Sequence, residues 1–237
     1  MQETPITLYY FPTPNGFKAS IMLEEVGAPY EVEIVSIVKG DQFKEDFLAI
    51  SPNNKIPVIV DPEGPDGKPI SVFETGAILQ YLGRKFGKLY PTEERARTLV
   101  DQWLFWQVAG HGPMAGQVHH FWRYAPEDVP YAKERYLNET KRLYGVLDKQ
   151  LANNEFVAGD YSIADIAIFG WTVSHDWHMI SFDAYKNVGE WHERIAAREP
   201  VKRGLAVAAE RIEETRKIAE DEEAKRNLFG AGSDKEG

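Results

Sequence analysis

No cysteine occurs anywhere in the 237 residues. Disulfides, thiolate metal sites and a protein-borne redox thiol are therefore excluded, so any thiol that reacts on this protein must arrive with a ligand. Three short segments carry residues able to receive one. Thr13-Pro14-Asn15-Gly16 places a hydroxyl and an amide at the start of a predicted helix, because Thr is a preferred N-cap and Pro a preferred first residue. A thiolate held there meets the positive end of the helix dipole and two donors, surroundings that lower a thiol pKa from about 8.5 toward full ionisation at neutral pH. Glu74-Thr75 opens a second predicted helix, whose orphan amides suit a carboxylate. Ile56-Pro57 precedes a strand, and a proline there serves either as an ordinary edge-strand start or as a turn. The first two segments also have a plain reading as helix caps, and both readings can hold together.

Other chemistry-bearing residues point nowhere in particular. His119 and His120 are adjacent, so on a helix they point about 100° apart and do not chelate as an i, i+4 pair would. No metal site is expected. His175 and His178 flank Trp177 and read as packed interior histidines. Trp103 and Trp106 read as core. Ser162-Ile-Ala-Asp165 is a capping box with Asp in the usual Glu/Gln place, a structural motif.

These segments need elements to position them. Ile6 to Phe11 reads as a strand, and the helix after Thr13 has an apolar face at Phe17, Ile21 and Leu23 or Val26 before Gly27 stops it. Tyr30 to Val35 alternates as a half-buried strand, and Asp41 to Ile50 as a short helix. Ile56 to Val60 and Ile70 to Phe73 form a hairpin around Gly64-Pro65-Asp66-Gly67. The helix from Glu74 runs to Gly87. This β-α-β then β-β-α order fits a small sheet covered by helices, as in thioredoxin-like domains. Beyond Tyr90-Pro91 only helices are predicted, over Thr92 to His111, Tyr131 to Leu151, Ser162 to Trp171, Val188 to Arg198 and from Pro200 onward. The expected organisation is an α/β domain over residues 1–90, an all-helical domain over 91–210, and an extension over 211–237. Fifteen of the 28 residues from Glu210 to Gly237 are charged, which predicts a solvated helical extension fraying into a tail; a lid or partner-binding arm is the alternative.

Bulk composition narrows the partners. Hydrophobic residues make up 43% and aromatic residues 12%, enough for a sizeable core. The net charge of −10 argues against nucleic acid and anionic membranes as partners. No apolar run approaches the roughly 18 residues of a membrane span, and the N-terminus lacks the parts of a secretory signal, so a cytoplasmic location is expected.

Taken in order, four segments resemble the glutathione transferase superfamily, and within it the nu class, which includes glutathione-dependent disulfide-bond reductases. They are Pro12-Thr-Pro-Asn-Gly16, Ser51-Pro-Asn-Asn-Lys-Ile-Pro57, Phe73-Glu-Thr-Gly-Ala77 and Gly159-Asp-Tyr-Ser-Ile-Ala-Asp165, with Gln102-Trp-Leu-Phe-Trp-Gln-Val108 and Gly112-Pro-Met114 opening the second domain. The resemblance runs from about residue 6 to 200. It implies glutathione as co-substrate, as two molecules or as the disulfide, and a homodimer. It implies a cis bond at Ile56-Pro57 that leaves the Ile56 backbone free to pair with an extended peptide. It implies Glu74 on the γ-glutamyl ammonium, Thr75 on its carboxylate, and Thr13 and Asn15 beside the sulfur as the catalytic pair. Gln42 is implied at the glycyl end, Lys55 as a glutathione-binding residue on the loop before the cis-Pro turn, and Arg135 reaching glutathione, across the dimer. Tyr10 stands where tyrosine-using classes place theirs, and is either a rival thiolate donor or a core aromatic. The expected function is glutathione-dependent disulfide reduction or conjugation to a small disulfide or electrophile. The alternative is a non-catalytic glutathione-binding regulatory module on the same fold.

Overall fold

A computed structural model describes residues 4–230. Thr13 caps the first helix as its sequence predicts: its Oγ1 accepts from Gly16 N–H at 3.1 Å, and Pro14 fills the first turn where no amide is needed. Helix α1 (Pro14–Val26) ends at Gly27, whose φ of 73° a side chain would resist. Before it runs strand β1 (Ile6–Tyr10), and after it β2 (Tyr30–Ile34), parallel to β1. Helix α2 (Glu45–Ile50) leads to β3 (Val58–Asp61) and β4 (Ile70–Phe73), which pair antiparallel around the predicted turn. Helix α3 (Thr75–Phe86) closes the unit. The sheet order is β2-β1-β3-β4, the thioredoxin-like arrangement. The register opposes Leu8 to Val32 on one side and Ile59 on the other, and Leu8, Ile59, Ile21 and Leu79 share one core.

Among the described residues, every element after α3 is a helix. Helix α4 (Glu94–Trp106) passes through a π-helical turn into α5 (Gly112–His119) and a second such turn at His120–Tyr124. Apolar spacing does not mark residues 112–124 as helix, because Gly112, Pro113 and two histidines dilute the pattern. Helix α6 (Pro130–Leu151) follows, then α7 (Ile163–Thr172), every residue of which is buried. The capping box at Ser162 and Asp165 is formed, and Asp165 also accepts from Val157 N–H and from Trp191 Nε1. Helices α8 (Lys186–Ala196) and α9 (Glu199–Ala206) complete this part; α9 packs so closely on α1 that a Cβ at Gly204 would stand 2.6 Å from Ile21 Cα. No helix among the described residues is long and apolar enough to cross a membrane.

Over residues 209–230 the expected helical extension forms, and it packs on the body. Short helices α10 (Ile212–Arg216) and α11 (Glu222–Lys225) fold back onto the body, with Ile218 and Ala224 buried. Phe229 stacks on Tyr124 and meets His120 edge-on. The charges lie mostly on the outside of the segment, and of its apolar residues Phe229 stays half exposed. The rest of the predicted tail, 231–237, lies outside the described residues.

Candidate active site

The start of α1 forms the floor of two adjoining cavities. The larger, of about 520 Å³, is walled by α1, α5, α7 and the folded-back C-terminal segment; Trp171, Trp177, His119, Tyr124 and Phe229 give it an aromatic lining. The smaller, of about 280 Å³, lies between the loop before β3 and the start of α3. Asn15, Lys55 and Ile56 line both, so they form the seam where the two spaces meet.

Each catalytic expectation has a definite geometry here. Thr13 uses its oxygen as the cap acceptor, which leaves its hydroxyl proton free to donate into the larger cavity. Asn15 is held by α7: Trp171 Nε1 donates to its Oδ1 at 2.9 Å. An indole nitrogen only donates, so the Asn15 oxygen is the bonded atom and its NH₂ group is turned toward the cavities. Two donors at a helix N-terminus thus stand side by side, Asn15 on the seam and Thr13 on the larger cavity next to it. A thiolate placed there would gain both hydrogen bonds and the favourable end of the dipole. Tyr10 takes no part in this. It is fully buried, lines neither cavity, and burial raises its phenol far above its ordinary range, so it reads as the core aromatic.

The smaller cavity is polar where a peptide end would need it to be. Ile56-Pro57 is cis, and among the described residues the Ile56 N–H and C=O make no backbone hydrogen bond. Glu74 sits in the turn before α3 with φ 68° and ψ 121°, a conformation that costs a non-glycine residue on the order of 1–3 kcal/mol. Its side chain does not cap α3, so the first amides of that helix stay open. Instead the carboxylate lies beside Asn53, 3.5 Å from its Nδ2. Thr75 begins α3 and lines the cavity with it.

Gln42 lies on the wall of the larger cavity, nearly fully buried. Its Nε2 donates to the Asn227 carbonyl at 3.2 Å, while its Oε1 is buried with no partner among the described residues. Asn227 in turn donates to the Val38 carbonyl, fastening the C-terminal segment to this wall. Arg135 is not brought to the site: it is exposed on α6 and lines neither cavity of its own chain. No group of three His, Asp or Glu side chains among the described residues could hold a metal ion.

The sequence reading passed over Lys18. It is a lysine with 2% exposure on α1, and its Nζ donates to Gln107 Oε1 at 2.7 Å and to Thr75 Oγ1 at 3.3 Å. Its place five residues past the cap, among small and apolar neighbours, was the available signal.

The glutathione S-transferase N-terminal domain matches residues 4–84 and the C-terminal domain residues 113–199. The chain belongs to the glutathione S-transferase family. It is 50% identical over 205 residues to the disulfide-bond oxidoreductase YfcG of Escherichia coli K12, covering 86% of this chain and 95% of that protein. Among solved structures it is similar to a glutathione transferase from Burkholderia graminis with two glutathione molecules bound per subunit: TM-score 0.81, 42% identity, 86% of this chain and 88% of that one. A glutathione transferase from Pseudomonas putida with one glutathione disulfide per subunit gives TM-score 0.82 at 44% identity, over 86% and 92%.

Proposed function

We propose that this family member is a glutathione-dependent disulfide-bond reductase that acts through a glutathione thiolate held at the start of α1. The observation that carries the reading is the seam: Thr13 and Asn15 offer two donors at a helix N-terminus where a polar cavity meets an aromatic one, in a chain without its own thiol. The named activity of the Escherichia coli relative and the glutathione or its disulfide in the bacterial structures support it.

The chemistry follows from the ligand alone. One glutathione thiolate attacks a sulfur of the substrate disulfide in line, giving a glutathione mixed disulfide and releasing one thiolate. A second glutathione thiolate attacks the glutathione sulfur of that product, forming glutathione disulfide and releasing the other thiolate. Two glutathiones are oxidised to one disulfide, and the substrate disulfide is reduced to two thiols. Glu74 and Thr75 hold the γ-glutamyl end, the Ile56 backbone pairs with the cysteinyl residue, and Lys55 and Gln42 meet the glycyl part. Arg135 belongs to this proposal through a homodimer, in which it reaches the partner's glutathione. The cytoplasm, where the glutathione pool is kept reduced, is the compartment that fits.

The test compares two assays, reduction of bis(2-hydroxyethyl) disulfide and conjugation to chlorodinitrobenzene. Fast reduction with feeble conjugation is expected, and the Thr13→Ala/Asn15→Ala pair should lose about 10²-fold or more of it, the scale of removing a preorganised donor. Unchanged turnover in that variant would sink the assignment. Glutathione bound with no turnover in either assay would leave a binding module instead.

A further inference from the structure

Lysine is almost never fully buried unless its charge is used. Lys18 is buried between α1, the start of α3 and the π-helical turn after α4, and its ammonium has two partners, Gln107 Oε1 and Thr75 Oγ1. The charged groups around it come from two of these elements. Glu74, one residue before α3, is the acidic one. His111, in the turn that also carries Gln107, is buried and held to about 3 by that burial and by the Lys18 charge, so it is neutral. Burial outweighs Glu74 and lowers Lys18 to about 7. Its two close partners, Gln107 Oε1 and Thr75 Oγ1, are both neutral.

Hydrogen-bond polarity gives that ammonium a use. An ammonium only donates, so Thr75 Oγ1 is the acceptor toward Lys18, and the Thr75 proton must point elsewhere. That proton, together with the uncapped amides of α3, forms a set of donors backed by a buried positive charge. Such a set suits a carboxylate and repels an ammonium. Glu74, on the other side of Thr75, has the opposite preference. The γ-glutamyl end of glutathione carries both groups on one carbon.

Resting on the glutathione reading above, we propose that Lys18 is a positioning residue for the γ-glutamyl α-carboxylate: it acts through Thr75 as the buried counter-charge, and with Glu74 it forms a plus–minus pair complementary to the zwitterion. Gln107 serves as its fixed tether, and the unpartnered Gln107 Nε2 marks how completely the group is enclosed. A purely structural tie between three elements is the rival, and a neutral side chain would fill that role with less desolvation.

The two roles separate by ligand. Calorimetry would measure binding of glutathione, of 4-aminobutanoyl-cysteinylglycine, which lacks the α-carboxylate, and of glutaryl-cysteinylglycine, which lacks the amine. Lys18→Gln should weaken glutathione and the glutaryl peptide by roughly tenfold or more, the scale of a charge-assisted hydrogen bond. It should leave the 4-aminobutanoyl peptide unchanged, and Lys18→Arg should restore part of the loss. An equal loss for all three peptides, or no loss for glutathione, would overturn the proposal. Wild-type protein that binds no glutathione at all would overturn the parent reading instead. Should Lys18→Gln not fold, the wild type still decides. Binding of S-methylglutathione near pH 7.5, measured in buffers of different ionisation enthalpy, should take up a fraction of a proton that the S-methyl 4-aminobutanoyl peptide does not. Equal uptake by the two would count against Lys18.

Discussion

Trp171 has one hydrogen to donate, and Asn15 receives it. The bond fixes which face of the amide looks into the seam, so an indole on α7 sets the polarity of a group on α1. Trp171→Phe would keep most of the ring and remove the donor, leaving the Asn15 amide free to turn. Disulfide reduction should fall about tenfold or more, the scale of losing one oriented donor, while thermal stability changes little. A variant as active as wild type would show that Asn15 is aimed by something else. Sequence reasoning could place Asn15, because a Thr-Pro pair announces a helix start from local chemistry alone. It could not place Trp171 beside it, because 156 residues separate the two partners. Lys18 was hidden for a different reason: lysine is a surface residue by default, and only the tertiary arrangement shows its ammonium enclosed.

At the scale of elements, the C-terminal segment behaves as a wall rather than a tail. Ile212, Ile218, Leu228 and Phe229 line the larger cavity, and Asn227 clasps Gln42. Charge density concealed this, since four large apolar residues spread over eighteen positions give no helical or strand period. The family domains stop at residue 199, so this wall lies beyond them. Phe229→Ala should raise KM for an aromatic disulfide by roughly tenfold, the size of one lost apolar contact of about 1–3 kcal/mol. It should leave KM for glutathione nearly unchanged. A matching rise for both substrates would mean that the segment supports the glutathione wall through Gln42 instead. The sheet and its helices were far more legible: each strand and turn from Ile6 to Phe73 carries its own signal, and the boundaries moved by only a residue or two, as with the strand that starts at Val58 rather than Ile56.

For the molecule as a whole, several buried imidazoles drive the response to acid, opposed by buried Asp165, which burial raises to about 6. Burial lowers His111 to about 3 and His119 and His192 to about 4, and His178 is lowered as well. The unfolded chain protonates these rings near 6.5, so below that pH it binds more protons than the folded protein. Their contribution to stability is therefore complete above about pH 6.5 and is lost as pH falls toward about 4, at up to roughly 1.4 kcal/mol per ring per pH unit. Urea denaturation at pH 7.5, 6 and 5 should show the decline. His111 stacks on Trp106 and makes no hydrogen bond through either nitrogen, so His111→Phe should flatten the slope without loss of stability at neutral pH. A slope identical to wild type would place the acid sensitivity elsewhere.

The seam between the two cavities also fixes the order of events in time. Asn15, Lys55 and Ile56 belong to both spaces, and none of them can form a bond to sulfur that outlives a substrate. Electrons cannot be parked on the protein between one substrate leaving and the next arriving. On the proposed reaction, glutathione and the disulfide would occupy the two spaces together before anything departs. Double-reciprocal plots of rate against one substrate, at several fixed levels of the other, should therefore intersect. Parallel lines, the signature of a covalently modified enzyme waiting for its second partner, would mean that some group in this cysteine-free chain stores the oxidising equivalent after all.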